Sequence, residues 1–411
     1  MSSRKICVAL ATLFLMPFVC ADIDLHALAE QIRVFSTQIE NSKVATALKA
    51  DADRLEMPSS NPREQIYIIE DILQKLDNYK KKEGALDLRV GCIRAETYFQ
   101  EIPYELLRQK VREYLLEQYP DAEIEFSYKE EGKRLGDCAH VSLSGRPEIT
   151  YHAKTHSRGL YSSTESESSY YEAEAVDLRE LFVYKFLQYS GLGPEVHFAW
   201  YNERDFYIIT KDVGCTESGE VEKYDYGTVK SSQNLLGVSL GAKYTELEPS
   251  QESLVNQVVR ESFVLIDIIS RIFELEDVIT NYGNFFFITD SSGNISSFKV
   301  VDFEILNRRT TFAETLFRGF LLGTGPYRYI GFSDPISRYF IVDRDVDARK
   351  ETAQEVFLPL VETFTRAIER SFQNILSLQT EIPTLDVEPL KEYHQEIQDN
   401  MSAFVKNLQT P

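Results

Sequence analysis

The amino-acid sequence predicts an α+β fold with helical ends and a strand-rich middle. Near both ends apolar residues recur at alternating spacings of three and four, the stripe of an amphipathic helix. Between about residues 122 and 211, short apolar segments alternate with glycine-marked turns. The chain has 411 residues, 43% hydrophobic and 27% charged. That is an ordinary globular mixture, long enough to bury a large core without disulfides or metals. Four regions are expected: a targeting segment 1–21, a helical hairpin 22–85, an α+β region 86–211, and a mainly helical region 212–411 that carries one β-hairpin.

The first region reads as a secretory signal. Arg4 and Lys5 are basic, the run from Ile6 to Cys20 is apolar apart from Thr12 and Pro17, and Val19-Cys20-Ala21 offers small residues for cleavage. The run is short for a bilayer, which needs about 20 apolar residues. No second long apolar run follows, so a secreted chain with no membrane span after cleavage is expected. The net charge is −21, and the longest basic run is Lys80-Lys81-Lys82. A phosphodiester backbone would meet net repulsion, so nucleic acid is not an expected partner. Cleavage would leave Cys92, Cys138 and Cys215, which allow at most one internal disulfide and are spaced too widely for a cysteine-only zinc site. Asn294 and Asn400 open Asn-x-Ser sequons.

Residues 24–55 read as one helix on the stripe Leu25, Leu28, Ile32, Phe35 and Ile39. Asn61, Pro62 and Glu64 then open a second, with Ile69, Ile72, Leu76 and Tyr79 inward, completing the hairpin. Leu86 to Ile93 reads as a strand and 104–118 as a helix. Strands are expected at 122–128, 139–144 and 149–155, then a helix over 172–189 stopped by Gly191-Leu192-Gly193-Pro194. Strands follow at 195–200 and 205–211, then a helix at 254–276. Phe285–Thr289 and Ser297–Ile305 form the hairpin, 307–348 is loop-rich, and two helices follow. Their stripes are Phe357, Leu360, Phe364, Ile368 and Phe372, then Leu390, Tyr393, Ile397, Met401 and Leu408.

The order of polar residues within these elements carries the chemistry. Phosphoryl transfer needs a cation on the phosphates, a carboxylate to fix that cation, and oxygen ligands for a divalent metal. Lys154 lies in a strand, sharing a face with His152. Glu180 borders the apolar face of the next helix, where pairing with Lys154 is expected. Asp277, Asn281 and Asn284 crowd between an apolar helix and an aromatic strand, where polar groups are costly unless they have a task. The return strand brings Asp302 near Asn284, two oxygen donors suited to Mg²⁺.

With these residues in place, the stretch from about 122 to 376 resembles the protein-kinase-like superfamily. The resemblance is in particular to its atypical branches, such as choline and aminoglycoside kinases and toxin-type serine kinases. ELFVYKFLQYSGLGPEVHFAW and FYIITKDV are similar to those families' glutamate helix, glycine–proline turn and strand into the hinge. VVDF resembles their metal-binding aspartate element, and YGNFFF their catalytic-loop asparagine with its strand. The resemblance implies a two-lobed fold and transfer of phosphate from ATP, with Mg²⁺, to a hydroxyl on a protein or small molecule. Lys154 would hold the phosphates and Glu180 orient it. The segment Ile208 to Asp212, with Ile209 and Lys211, would line the adenine pocket. Asn284 and Asp302 would bind metal. Glu304 stands where these families often have glycine, and no glycine-rich loop of their pattern precedes Lys154. Ile279 occupies the usual position of the base, five residues before Asn284, which leaves Asp277 and Asn281 as catalytic candidates. The alternative is a catalytically inactive kinase-like scaffold that binds a protein partner.

Overall fold

The computed structural model describes residues 24–57, 62–129, 134–160, 173–216, 219–220, 223–225, 261–262, 264–278, 284–289, 295–305, 313–322 and 346–410. They form two compact units that part between Gln109 and Lys110. The first unit is helical: α1 (Leu25–Ser36), α2 (Ser42–Glu56), α3 (Pro62–Asp77) and the first part of α4 (Ala85–Gln118). Leu28, Ile32 and Phe35 are buried with Leu48, Leu55, Ile69, Ile72 and Leu76 in one apolar cluster.

Two expectations are corrected here. The helix expected over 24–55 is two helices, because the Asn41 side chain accepts the N–H groups of Lys43 and Val44 and so starts α2. Ile39 is buried in the connecting turn rather than on the helix stripe. The strand expected at 86–93 is the opening of α4, a 34-residue helix. Leu88, Cys92, Ala95 and Phe99, spaced four, three and four apart, are all buried. That longer helical stripe outweighs the brief period-two alternation of Leu86 to Ile93. Pro103 sits inside this helix, at the cost of one backbone donor.

The second unit holds a five-stranded, wholly antiparallel sheet in the order β1-β2-β3-β5-β4. Its strands are β1 (Glu123–Tyr128), β2 (Gly136–Ser142), β3 (Ile149–Thr155), β4 (Val196–Trp200) and β5 (Phe206–Lys211). Between β3 and β4 the chain forms α5 (Leu178–Tyr189), started by Asp177, whose side chain accepts the Arg179 N–H. It stops at Gly191, φ +78°, where glycine avoids the Cβ clash of the left-handed region. The N–H groups of Leu192 and Gly193 then both reach Leu187 O. Every residue from Leu178 to Leu187 except Arg179 is buried, the signature of a helix enclosed on all sides. Phe186 stacks on Phe273 with centroids 4.1 Å apart, and Phe182 meets Tyr393 edge-on at 6.0 Å.

Short strands β6 (Cys215–Thr216) and β7 (Gly219–Glu220) pair with each other, and β8 (Lys223–Asp225) joins the later hairpin. Residues 264–272 are helical, followed by β9 (Leu275–Glu276). The hairpin is β10 (Phe285–Thr289) with β11 (Ile295–Val300), its register shifting after Ile288. The expected return strand is interrupted: β11 ends at Val300, and β12 (Glu304–Ile305) pairs instead with β9. At the break, the N–H groups of Val301 and Asp302 turn to Asn284 O, at 2.8 and 3.3 Å.

Helices α6 (Ala313–Leu322), α7 (Val346–Phe357), α8 (Val361–Ser377) and α9 (Glu388–Gln409) complete the unit. α6 lies inside the stretch expected to be loop. From α9, the Tyr393 hydroxyl donates to Phe273 O and Asn400 Nδ2 donates to Ile272 O at 3.2 Å. They satisfy carbonyls orphaned where the helix at 264–272 ends. Asn400 is buried. Cys92, Cys138 and Cys215 are free thiols. Among the described residues, no helix is long and apolar enough to cross a membrane. The apolar run at 6–20 lies outside them.

Candidate functional site

Lys154 occupies the buried end of β3, and its Nζ donates to Asp302 Oδ1 at 2.7 Å. The pair joins the sheet to the end of the hairpin, bridging 148 positions of sequence. β2 approaches Lys154 closely because its register partner is Gly136. A Cβ there would stand 2.6 Å from Ala153 O and 3.2 Å from Lys154 Cβ. α5 contributes Glu180 and, one turn on, Tyr184. The Tyr184 hydroxyl donates to Asp302 Oδ1 at 3.1 Å, and the Phe303 N–H donates to the same oxygen at 2.9 Å. Three donors therefore converge on Oδ1, while Oδ2 accepts no hydrogen bond among the described residues. The Tyr184 ring also lies 5.4 Å from Lys154 Nζ and packs on Phe303.

Glu180 does not take the partner expected of it. Its Oε1 accepts from Arg134 at 2.6 Å, and its Oε2 accepts the Ser157 N–H at 2.8 Å. The turn after β3 carries Ser157 to the helix start, and Arg134, just before β2, closes the other side. Lys154, meanwhile, reaches across to Asp302. The result is a compact group of two cations and two carboxylates. Burial lowers the Lys154 pKa from its ordinary value, opposed by Asp302. Burial pushes the Asp302 carboxyl upward, but Lys154 and then Arg134 hold it well below the usual carboxylate range. Burial, and secondarily Asp302, raises the Tyr184 hydroxyl far above the tyrosine norm, so it stays a donor.

Asn284 opens the hairpin and is buried. Its Nδ2 donates to Asp277 O at 2.6 Å and lies 3.3 Å from Asp277 Oδ2, and its amide oxygen accepts no hydrogen bond among the described residues. Asp277 and Glu274 have φ of +62° and +51° in the turn after the helix at 264–272. Non-glycine residues in this region carry backbone strain. Asn281 lies outside the described residues. Ile209 and Lys211 are placed on β5, an interior strand with ladder partners on both sides. Ile209 pairs with Ala153 and Lys211 with Tyr151, so both point away from the face that carries Lys154. The residues on that face are Ile208, opposite Lys154, and Thr210, opposite His152.

Sequence reasoning missed Arg134 and Tyr184. Tyr184 was within reach, since it stands four residues after Glu180 on one helix. Arg134 follows Glu130-Glu131-Gly132-Lys133, which reads as a solvated charge run, and its partner lies 46 positions away. No protein-family model matches the chain, and no curated protein matches it. Among the described residues, no group of three or more His, Cys, Asp or Glu is arranged to hold a metal.

Proposed function

We propose that this chain is a secreted, divergent kinase-like phosphotransferase with a two-lobed protein-kinase-like fold. It would use ATP and Mg²⁺ to phosphorylate a hydroxyl on a protein or small molecule. The observation that carries the reading is the 2.7 Å bond between Lys154 and Asp302. It brings the phosphate cation and the metal carboxylate of the resemblance to one point from distant parts of the chain. Order supports it as well: a lysine on the third strand, a glutamate on the following helix, an asparagine opening a hairpin and an aspartate just beyond its return strand.

The donor set suits Mg²⁺, which takes hard oxygens and keeps several for water and phosphate. Asp302 Oδ2 and the Asn284 amide oxygen would be its protein ligands. The ion would draw charge from the phosphates, while Lys154 would exchange Asp302 for a phosphate oxygen. Arg134 and Glu180 keep the rest of the cluster neutral. Asp277 is the carboxylate nearest in sequence for positioning the acceptor hydroxyl. A second reading, the inactive scaffold, is favoured by Ile279 at the position of the base. Catalysis here would rest mainly on positioning and charge, so loss of the base need not end turnover.

Thermal unfolding with 1 mM ATP and Mg²⁺ tests the site. A dissociation constant near 10 µM would add about 2.7 kcal/mol of stability, and Asp302→Ala should abolish the shift. Transfer of labelled phosphate to a hydroxyl acceptor supports the enzyme. Stabilisation without transfer supports the scaffold, and no stabilisation at millimolar nucleotide sinks the nucleotide site.

A further inference from the structure

The phosphotransfer reading gives no side-chain role to a cysteine and a histidine on this sheet, or to the aspartate side chain just past β5. Cys138 and His152 face each other in register across β2 and β3. Cys138 Sγ lies 3.4 Å from His152 Nδ1, and His152 Nε2 lies 2.9 Å from Asp212 Oδ2. Asp212, one residue past β5, is itself anchored. Its Oδ1 accepts the Gly214 N–H at 2.6 Å, and its own N–H donates to Thr150 O at 2.8 Å. A thiol beside an imidazole whose far nitrogen is held by a fixed carboxylate is the arrangement that activates a nucleophile. Two paired strand positions and one anchored residue just past β5 set it.

Access and charge both agree with a reactive thiol. Cys138 is half-buried, whereas Cys92 is fully buried and its thiol is pushed up to about 12 by burial. Burial alone would discharge the His152 ring, but its hydrogen bond to Asp212, and next to Cys138, raises it to about 9. The bond to Asp212 therefore favours the protonated ring, which can supply a proton to a departing group.

We propose that Cys138 is an activated thiol that captures low-molecular-weight disulfides, with His152 as its proton partner and Asp212 as the positioning residue. The Cys138 thiolate attacks one sulfur of the incoming disulfide. A Cys138 sulfur–sulfur bond forms as the disulfide's own bond breaks, and the departing thiolate takes the proton from His152 and leaves as a free thiol. The other disulfide half stays on Cys138, two positions along the strand face from Lys154's register. This inference does not depend on the phosphotransfer reading.

Glutathione disulfide, added to the full chain at pH 7, is the probe. Peptide-resolved mass spectrometry follows mixed-disulfide formation at Cys138 and at Cys215, a half-buried thiol in the same molecule. Cys138 is expected to react about tenfold faster than Cys215, and His152→Gln to remove about that factor. Equal rates at the two cysteines, or an unchanged Cys138 rate in His152→Gln, overturn the proposal. Should His152→Gln fail to fold, Asp212→Asn replaces it with the same expected slowing, and an unslowed rate there is equally fatal.

Discussion

Breaking the Arg134–Glu180 pair should cost far more than breaking an ordinary surface ion pair. The two side chains are 12% and 3% exposed, and Glu180 accepts from both Arg134 and the Ser157 N–H. Glu180→Gln keeps the shape but leaves the Arg134 charge in place, buried beside a neutral amide. Removing one partner of a buried pair costs about 3–5 kcal/mol, whereas replacing both together is often close to neutral. Arg134→Met and Glu180→Gln should therefore each lose about 3 kcal/mol, and the double variant less than either. The coupling energy is then more than about 3 kcal/mol. Urea unfolding can be followed through Trp200, the only tryptophan, which stacks on Phe206 in the sheet at 5.5 Å. Strict additivity, with each single loss below about 1 kcal/mol, would place the pair in the class of solvated surface bridges. Glu180 would then be no anchor for the site.

Three further outcomes follow from the same contacts. The raised His152 pKa adds stability that is complete below about 6.5, the ordinary histidine value. It is lost as pH rises through about 9. Discounted for a ring 41% exposed, the loss should be about 1 kcal/mol, visible as a falling melting temperature that His152→Gln abolishes. Gly136→Ala must push β2 off Ala153 O, 2.6 Å from the added Cβ. It should cost about 1–3 kcal/mol and weaken any nucleotide-induced stabilisation measured by thermal shift. Tyr393→Phe removes the hydroxyl from Phe273 O and should cost about 1–2 kcal/mol in the same urea titration.

Local pattern was enough to read most of the five-stranded sheet and the end of α5. The strands at 123–128, 149–155, 196–200 and 206–211 and the glycine stop after α5 follow from short-range alternation and turn chemistry. The misreadings come from competition between periods or from distant pairing. Leu86 to Ile93 alternates like a strand, yet Leu88 and Cys92 belong to a helical stripe that is visible only over a longer window. The break after Val300 exists because Asn284 O captures two N–H groups, a contact that no run of neighbours encodes. In the site, Lys154 and Asp302 were legible by type and order. Arg134 was not, because its ion partner is set by how β2 and α5 come together. β8 likewise joins β10 from a stretch with no strand pattern of its own strength.

The buried amide of Asn400 gives one more consequence. It begins a glycosylation sequon, yet in the folded chain its nitrogen is committed to Ile272 O and shielded from solvent. A sugar chain can be attached there only while α9 is still undocked, and once attached it would keep that helix from seating. Glycan occupancy at Asn400 in a eukaryotic export route would therefore act as a stopwatch, recording the fraction of molecules caught before the carboxyl-terminal helix closed over the strained turn.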